Sequence, residues 1–322
     1  MTETFKRSLQ AAREGAAYAP AGSPGLVSVR GAGRAGFLHG QLSADVKSLE
    51  QGRGVPACLL NVQGKIVSPL GLFALASEHL MTGPRESLPA AAAALARMAP
   101  LADCEVEDMT GQRAAWLLIG PRRALVLEAL AGRPCDPGVD GARTIPTSAG
   151  AALVLADFLA GPEAHLVFAP RGGEDRFAGI LAGAAETAGA LELPPAALEV
   201  LRVEAGAAAW GREAGPDCFP QEIGLERAVQ SNKGCYLGQE VMARLRDRGH
   251  VNRVLVSLLL DAPAAPGDAL EDEDGLTLGR LTSVAPSAAG TLALGFIKPE
   301  RAAAGQRLAV RAGAARVPAV VR

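Results

Sequence analysis

The feature that most limits the fold is a glycine-rich turn that leads into a hairpin instead of a crossover. Segment 26–30 has the composition of a strand, and 31–36 follows it with the G-x-G-x-x-G spacing of a dinucleotide-binding turn. A dinucleotide-binding unit would continue into a parallel strand that ends in an acidic residue. Here strand 55–62 turns straight back into strand 65–75, which indicates a hairpin. We therefore expect an α+β lobe with an antiparallel sheet, and a tight strand-to-helix turn at 31–36 in preference to a nucleotide site.

Similar patterns continue along the chain and change in character near residue 250. They predict a first helix with Phe37, Leu38, Leu42 and Val46 on one face. Further helices are predicted at 89–98, 122–130, 176–188 and 194–205, and strands at 102–108, 113–119, 152–158 and 165–169. The Gly- and Pro-rich stretch 132–150 predicts a loop. From residue 252 onward, short alternating segments at 254–260, 276–282, 291–297 and 307–310 predict a small all-β barrel or sandwich.

Composition and charge exclude several classes of protein. The chain has 322 residues, of which 49% are hydrophobic and 20% are charged, so it has ample material for a globular core. The formal net charge of −2 provides no basic field for a nucleic acid or a membrane surface. The first 15 residues lack the apolar segment of a signal peptide, and the best apolar run, 254–260, has the length of a strand. We expect a soluble, cytoplasmic protein.

The highest density of reactive residue types is in segment 233–240, Lys-Gly-Cys-Tyr-Leu-Gly-Gln-Glu. Gly234 and Gly238 flank Cys235 and allow backbone conformations that expose the sulfur at a tight turn. Lys233 lies two positions away, and a nearby cation favours the nucleophilic thiolate form of a cysteine. The pattern therefore suits a reactive or metal-ligating thiol. The alternative, a small buried hydrophobic residue in a glycine-rich turn, has equal weight on these grounds.

The other cysteines fit a structural role better. The chain has five cysteines, an odd number with irregular spacing, which is not typical of a secreted disulfide framework. Burial is the simpler interpretation for Cys58, Cys104, Cys135 and Cys218. A bond between Cys218 and Cys235 is conceivable, but their spacing matches no zinc pattern, so no metal site is predicted with certainty.

Segment 233–240 resembles the K-G-C-Y-x-G-Q-E signature of the YgfZ-type folate-binding proteins. These proteins are relatives of the T-protein, the aminomethyltransferase of the glycine cleavage system. The resemblance covers nearly the whole chain. Residues 36–46 are similar to the family's F-L-x-G-Q-L-T-x-D-V segment, and residues 61–65 are similar to its hairpin turn. Residues 201–206 are similar to L-R-x-E-A-G, and residues 220–222 and 278–283 are similar to later segments. It also accounts for the glycine spacing at 31–36 without a dinucleotide.

The resemblance implies a three-lobed fold around a folate site. Two α+β lobes in residues 1–250 would surround a central tetrahydrofolate cavity, and residues 251–322 would form a C-terminal β-barrel. It further implies that Glu204 binds the pterin ring, because a carboxylate can accept two hydrogen bonds from a 2-amino-pyrimidinone edge. The alternative for Glu204 is a solvated helix end.

Further ligand contacts are expected around the cysteine. We expect Tyr236, Gln239 and Glu240 to contribute to cofactor binding. Residues 226–253 carry six basic against three acidic residues, and Arg244, which is near the motif, is the candidate for the anionic glutamate tail of folate. A solvated basic face remains the alternative for this cluster.

One departure from the T-protein pattern affects the expected activity. T-proteins carry an Asp pair shortly after the hairpin glycine, where this chain has Ser68 and Pro69. Without that carboxylate, aminomethyl transfer is not expected even if folate binds. What the resemblance implies instead is a folate-dependent role in assembling or maintaining iron-sulfur clusters, together with scaffold or client proteins.

The chemistry at the cysteine stays open between several alternatives. A cluster needs about four thiolates, so Cys235 could serve only as a transient ligand beside residues of a partner. Alternatively, Cys235 acts with Lys233 as a nucleophile or redox group on a folate-bound one-carbon unit, which would make the chain a methyl or aminomethyl transferase. A folate-binding module without thiol chemistry is the third possibility.

Overall fold

The computed structural model describes residues 2–159 and 164–322. Over these residues the chain forms two α+β lobes and a closed C-terminal β-barrel, so the predicted fold class is confirmed. The helices are α1 (Glu3–Glu14), α2 (Arg34–Gln41), α3 (Leu88–Ala96), α4 (Arg123–Ala131), α5 (Glu174–Thr187), α6 (Pro195–Glu204) and α7 (Gln239–Arg248). Short 3-10 helices lie at Ala99–Ala102, Pro220–Ile223, Glu226–Ala228 and Pro299–Arg301. None of the described helices combines the length and apolar composition needed to cross a bilayer.

The strands belong to three separate sheets. In chain order they are β1 (Ala17–Gly22), β2 (Gly25–Arg30), β3 (Gly54–Leu60), β4 (Ile66–Ala74), β5 (Glu78–Gly83), β6 (Glu105–Asp108), β7 (Ala115–Ile119), β8 (Ala142–Thr147), β9 (Gly150–Ala156), β10 (Ala164–Phe168), β11 (Leu191–Glu192), β12 (Val254–Leu260), β13 (Ala269–Glu271), β14 (Thr277–Ser287), β15 (Gly290–Ile297), β16 (Arg307–Ala312) and β17 (Ala315–Val321).

The first lobe contains a five-stranded sheet in the order β3-β4-β5-β2-β6, in which every neighbouring pair is antiparallel. The predicted hairpin is confirmed, because β3 pairs with β4 from Gly54↔Phe73 to Leu60↔Ile66. Helices α2 and α3 cover one face of this sheet and share its apolar core. A single buried face per helix is what the apolar spacing in the sequence requires.

The glycines at 31–36 serve packing between segments of the chain. A side chain at Gly31 would place its Cβ 2.1 Å from the Asp103 carbonyl oxygen, and one at Gly33 would place it 1.9 Å from the Ala102 carbonyl oxygen. The glycines therefore allow the segment before β6 to approach the turn closely. The predicted helix is shorter than expected: it ends at Gln41, because Leu42 is extended with ψ 157°, and Val46 is buried outside it.

The second lobe contains a six-stranded sheet in the order β11-β1-β7-β10-β9-β8, on which α4 and α5 pack. The prediction of a loop over 132–150 was wrong in part, because β8 lies inside it and pairs with β9. Ile145 is fully buried and anchors this strand. Pro146 is tolerated because β8 is at the edge of the sheet, where a missing N–H breaks no ladder.

The C-terminal strands close into a barrel in the order β12-β15-β14-β13-β16-β17. Its first strand begins at Val254, close to the change of sequence pattern, while β14 is longer than predicted. Helix α6 joins the barrel to the lobes, because Val200 and Val203 share an apolar cluster with Leu292 and Leu294 of β15. The barrel thus fixes the position of α6, which lines a cavity of about 920 Å³.

Candidate functional site

Cys235 lies on an exposed turn between the 3-10 segments and α7. Gly234 has φ +92° and Gly238 has φ +83°, so both glycines occupy the left-handed region that the sequence predicted for them. A Cβ at Gly238 would lie 2.6 Å from the Asn61 carbonyl oxygen and 3.2 Å from Gly64 Cα. The cysteine segment therefore packs directly on the hairpin turn between β3 and β4, and the structure brings together two motifs that are far apart in the sequence.

Among the five cysteines, Cys235 is exposed and the other four are buried; all are free thiols. The Cys218 thiol donates to the Glu213 carbonyl oxygen over 3.3 Å, so the conceivable bond to Cys235 does not form. Burial raises the pKa of Cys58 to about 12, which keeps that thiol neutral. Accessibility distinguishes Cys235 from the other thiols.

Lys233 is buried beneath the turn. Its Nζ donates to the carbonyl oxygens of His39 and, over 2.8 Å, of Leu42 at the end of α2, and it lies 4.8 Å from the ring centroid of Tyr236. Burial lowers the pKa of Lys233 to about 8, although the charges of Asp45 and Cys235 act in the opposite direction. The lysine therefore holds its proton weakly, within the electrostatic reach of the exposed thiol.

The hairpin turn against which Cys235 packs is rigidly organised. Asn61 Oδ1 accepts hydrogen bonds from the backbone N–H groups of Gln63 and Lys65, both over 2.9 Å. The Lys65 ammonium is 3.3 Å from the ring centroid of Phe219, which is a cation–π contact. Lys65 therefore stabilises the platform under the cysteine segment instead of approaching the thiol.

A groove of about 410 Å³ lies beside the cysteine. It is lined by Tyr236, Gln239 and Glu240, three of the predicted binding residues, together with Gln221 and Met242. Gln239 Oε1 accepts a hydrogen bond from the Tyr236 N–H over 3.1 Å, which shapes the start of α7.

Arg244 follows on α7 as an exposed residue. Its neighbours Ala243 and Leu245, unlike Arg244, are among the described residues that line the groove. Arg244, the candidate for a contact with the folate tail, therefore lies outside this groove and outside the larger cavity between the lobes.

A larger cavity of about 920 Å³ lies between the two α+β lobes. Its walls are mainly apolar, and its charged lining residues are Asp157, Glu199, Arg202 and Arg227. Lining residues include Pro69, Leu117, Ile119, Asp157, Phe158, Leu166, Leu198, Glu199, Arg202, Trp210, Ile223 and Arg227. Its size and its few polar groups are typical of a site for an organic ligand.

The charged groups of α6 at this cavity neutralise one another. Arg202 donates to both carboxylate oxygens of Glu199, at 2.8 and 2.9 Å, and to Glu213 at 3.2 Å. Ser283 of the barrel donates to Glu213 over 2.6 Å. Hydrogen bonds from Arg202 and Arg212 lower the pKa of Glu199 to about 2. This network holds α6 in place and keeps Glu199 ionised, which does not suit Glu199 to acid–base catalysis.

Of the two positions that depart from the T-protein pattern, one lies at this cavity. Pro69 lines it, whereas Ser68 is buried and its hydroxyl is 2.9 Å from the Ser87 hydroxyl. No carboxylate is therefore present at either position. Asp157 and Glu199 are the carboxylates among the described lining residues, and Asp157 Oδ1 accepts from the Leu159 N–H over 2.8 Å.

The structure places Glu204 in an ion pair with Arg13 of α1. The Arg13 Nη2 lies 2.8 Å from Glu204 Oε2, and about a third of the glutamate side chain is exposed. Its neighbours Ala205 and Gly206, unlike Glu204, are among the described lining residues of the large cavity. A contact in which both carboxylate oxygens of Glu204 accept from a ligand would therefore require Arg13 to release Oε2.

A short wall separates the cavity from the groove. Ile223, Leu225 and Arg227 line the cavity, whereas Gln221 and Glu226 from the same stretch line the groove. Cys235 and the large cavity therefore lie on different sides of residues 220–229. A ligand in the cavity touches the wall that carries the groove, but the thiol does not line the cavity.

Sequence reasoning missed several residues of both regions. Trp210 and Asp157 line the large cavity although no motif marked them, whereas Arg227, which also lines it, belongs to the basic stretch 226–253. Arg202 lies within the segment similar to L-R-x-E-A-G, so its i,i+3 spacing to Glu199 was a usable signal. His39, within the segment 36–46, contacts Lys233 through its ring.

In the described parts of the chain, no three His, Cys, Asp or Glu side chains are grouped so that they could hold a metal ion.

Comparison with known proteins gives consistent matches along the chain. Residues 1–233 match the family described as the GCVT N-terminal domain. A putative transferase of Arabidopsis thaliana chloroplasts is 28% identical over 298 residues, which cover 89% of this chain and 66% of that protein. An aminomethyltransferase of Streptomyces coelicolor is 26% identical over 290 residues, which cover 87% of this chain and 78% of that protein.

A solved structure shares the fold. The aminomethyltransferase T of the Bartonella henselae glycine cleavage system superimposes with a TM-score of 0.86 at 23% identity, over 99% of this chain and 88% of that protein. At this level of identity the similarity establishes the arrangement of lobes and barrel.

Proposed function

Because this chain belongs to the GCVT family, we propose that it is a YgfZ-type member that binds tetrahydrofolate in the cavity between its lobes. On this proposal, Cys235 supports the assembly or repair of iron-sulfur clusters in client enzymes. The observation that carries the proposal is the exposed Cys235 turn above buried Lys233, in a chain that has Ser68 and Pro69 at the family's carboxylate positions.

The cavity fits a reduced folate by its size and lining. Folate has a flat heteroaromatic ring and an anionic glutamate tail, and a site for it needs apolar walls with a cation near the opening. Phe158, Leu198 and Trp210 provide apolar surface, and the exposed Arg227 provides a cation. Arg227 is therefore a stronger candidate than Arg244 for the tail.

The pterin contact of Glu204 remains part of the proposal. Its carboxylate has the right acceptor geometry for an amino-pyrimidinone edge, but it is bound to Arg13. Binding through Glu204 would exchange one hydrogen-bonded partner for another, so the net gain in affinity is small.

The thiol role rests on exposure and on the neighbouring lysine. A cation near a cysteine favours the thiolate, which is both the nucleophile and the metal-binding form. Since a cluster needs about four such ligands, Cys235 would bind it together with residues of a scaffold or client protein. Tyr236, Gln239 and Glu240 line the groove next to the thiol and would contact that partner protein or the cluster that it carries.

The test is the replacement of the thiol in cells that lack the native protein. We expect Cys235→Ser to abolish support of iron-sulfur enzyme activity, while Cys135→Ala, a matched loss of a buried thiol in the other lobe, retains it. Full support by Cys235→Ser would overturn the proposed role.

A folate-dependent one-carbon transferase is the second candidate function. The named transferases among the relatives favour it, and Asp157 provides a carboxylate at the cavity. Formation of a methylated or aminomethylated product from methylenetetrahydrofolate by the purified protein would support this candidate. We expect no such product from the native chain, because Pro69 stands where a carboxylate would be needed.

A further inference from the structure

His39 connects α2 to the cysteine segment. Its Nε2 lies 2.6 Å from the Lys233 carbonyl oxygen, and its Nδ1 lies 3.2 Å from Asp45 Oδ1. The side chain is only 13% exposed. A Cβ at Gly234, the residue before Cys235, would lie 3.9 Å from the same Nε2. The imidazole therefore fixes the main chain immediately before the thiol.

The contact is reciprocal, because Lys233 Nζ donates back to the His39 carbonyl oxygen. Farther along, the Asp45 N–H donates to Gln230 Oε1 over 3.1 Å, and the Gln230 N–H donates to the Ser43 carbonyl oxygen over 2.9 Å. These bonds tie the chain before the cysteine to the segment after α2. Among them, the His39 ring bond holds the carbonyl of Lys233, two residues before the thiol.

The two acceptors around the ring compete for the single N–H of a neutral imidazole. A backbone carbonyl and an ionised carboxylate can only accept, whereas a neutral imidazole carries one N–H. It can therefore donate to Lys233 or to Asp45, but not to both. The charged groups near the ring are Asp45 and Lys233, while Lys47 and Cys235 act on Lys233 through space.

We propose that His39 is a positioning residue for Cys235. Its ring holds the Lys233 carbonyl and so keeps the thiol turn beside the lysine. This inference rests on the proposed function in taking Cys235 as the working thiol. It adds to that function a residue that sets the geometry of the turn.

The test is hydrogen exchange of the full-length protein, followed by mass spectrometry of peptides that cover residues 230–238. We expect His39→Ala to exchange there about fivefold faster than the native protein, as the loss of one hydrogen bond implies. His39→Gln retains an N–H donor and should stay within about twofold at pH 8. The exposed His250→Gln is the control and should match the native protein.

The comparison of the two variants separates positioning from simple filling of space. His39→Gln keeps a side-chain N–H donor, whereas His39→Ala keeps none. Native protection in His39→Ala would overturn the proposal, as would exchange in His39→Gln that is as fast as in His39→Ala.

Failure of this inference can be distinguished from failure of the proposed function. Cys235→Ser leaves the His39 contacts in place, so its effect in cells tests only the role of the thiol. Exchange at residues 230–238 tests only the role of His39, since it is measured without any client enzyme.

Discussion

The central cavity and the cysteine groove share the wall at 220–229 but differ in chemistry. In the cavity, Glu199 is neutralised by its partners Arg202 and Arg212, so the polar groups of α6 are suited to holding shape. In the groove region, a thiol is exposed next to a lysine whose pKa burial has lowered to about 8. On the function we propose, the difference corresponds to a division of roles, with ligand recognition in the cavity and thiol chemistry at the turn.

The largest effect is expected from reversing charge at the cavity. Arg227→Glu should weaken tetrahydrofolate binding by as much as about 100-fold, because it replaces a charge-assisted contact to the tail by repulsion. Titration calorimetry measures the affinity, and the alkylation rate of Cys235 should stay within about twofold. The matched control is Arg246→Glu in the groove, which should leave binding unchanged. Equal losses in both variants would contradict the assignment of the two regions.

The buried lysine gives a pH-dependent contribution to stability. Its pKa is about 8 in the folded protein and 10.5 for an unperturbed lysine, so between these values the unfolded chain binds more protons. The contribution of Lys233 to the free energy of unfolding should therefore rise with pH over that window. Relative to Lys233→Met, the native protein should gain about 2 kcal/mol from pH 8 to 10.5. Urea unfolding measures this, and a parallel pH dependence in both proteins would contradict it.

Lys233→Arg tests whether shape matters as well as charge. A compact ammonium meets the carbonyls of His39 and Leu42 beneath the turn, and a planar, forked guanidinium does not fit the same space. We expect the alkylation rate of Cys235 to fall about three- to tenfold and function in cells to be impaired, while tetrahydrofolate affinity is unchanged. A native rate would show that any cation suffices.

The smallest effect is expected at Glu204. Because its carboxylate is already paired with Arg13 at a partly exposed site, Glu204→Gln should weaken tetrahydrofolate binding by no more than about threefold. Arg13→Gln is the control for loss of the ion pair alone. A loss as large as that of Arg227→Glu would instead assign Glu204 to the pterin as a main contact.

The fold was predictable where local pattern and tertiary packing agree. The hairpin at 61–65 was correct because a short polar turn between two apolar strands leaves few alternatives. The strand β8 was missed because its residues Ala142–Thr147 follow a Gly- and Pro-rich stretch and pair only with β9 at a sheet edge. Helix α2 was predicted too long, since Val46 is buried by tertiary contacts that the periodicity could not distinguish from helical ones.

The site was predictable in its residue types but not in its partners. The glycines around Cys235 correctly indicated an exposed turn. The sequence could not show that Lys233 reaches back to α2, because that contact joins residues far apart in the chain. Nor could it show that Tyr236, Gln239 and Glu240 line a groove separate from the central cavity.

The most direct test of this division measures both regions in one variant. Cys235→Ser is assayed as purified protein for tetrahydrofolate affinity, and in cells lacking the native protein for support of iron-sulfur enzymes. The account predicts an affinity within about twofold of the native protein together with loss of support. Retained support, or affinity lost along with the thiol, would contradict it.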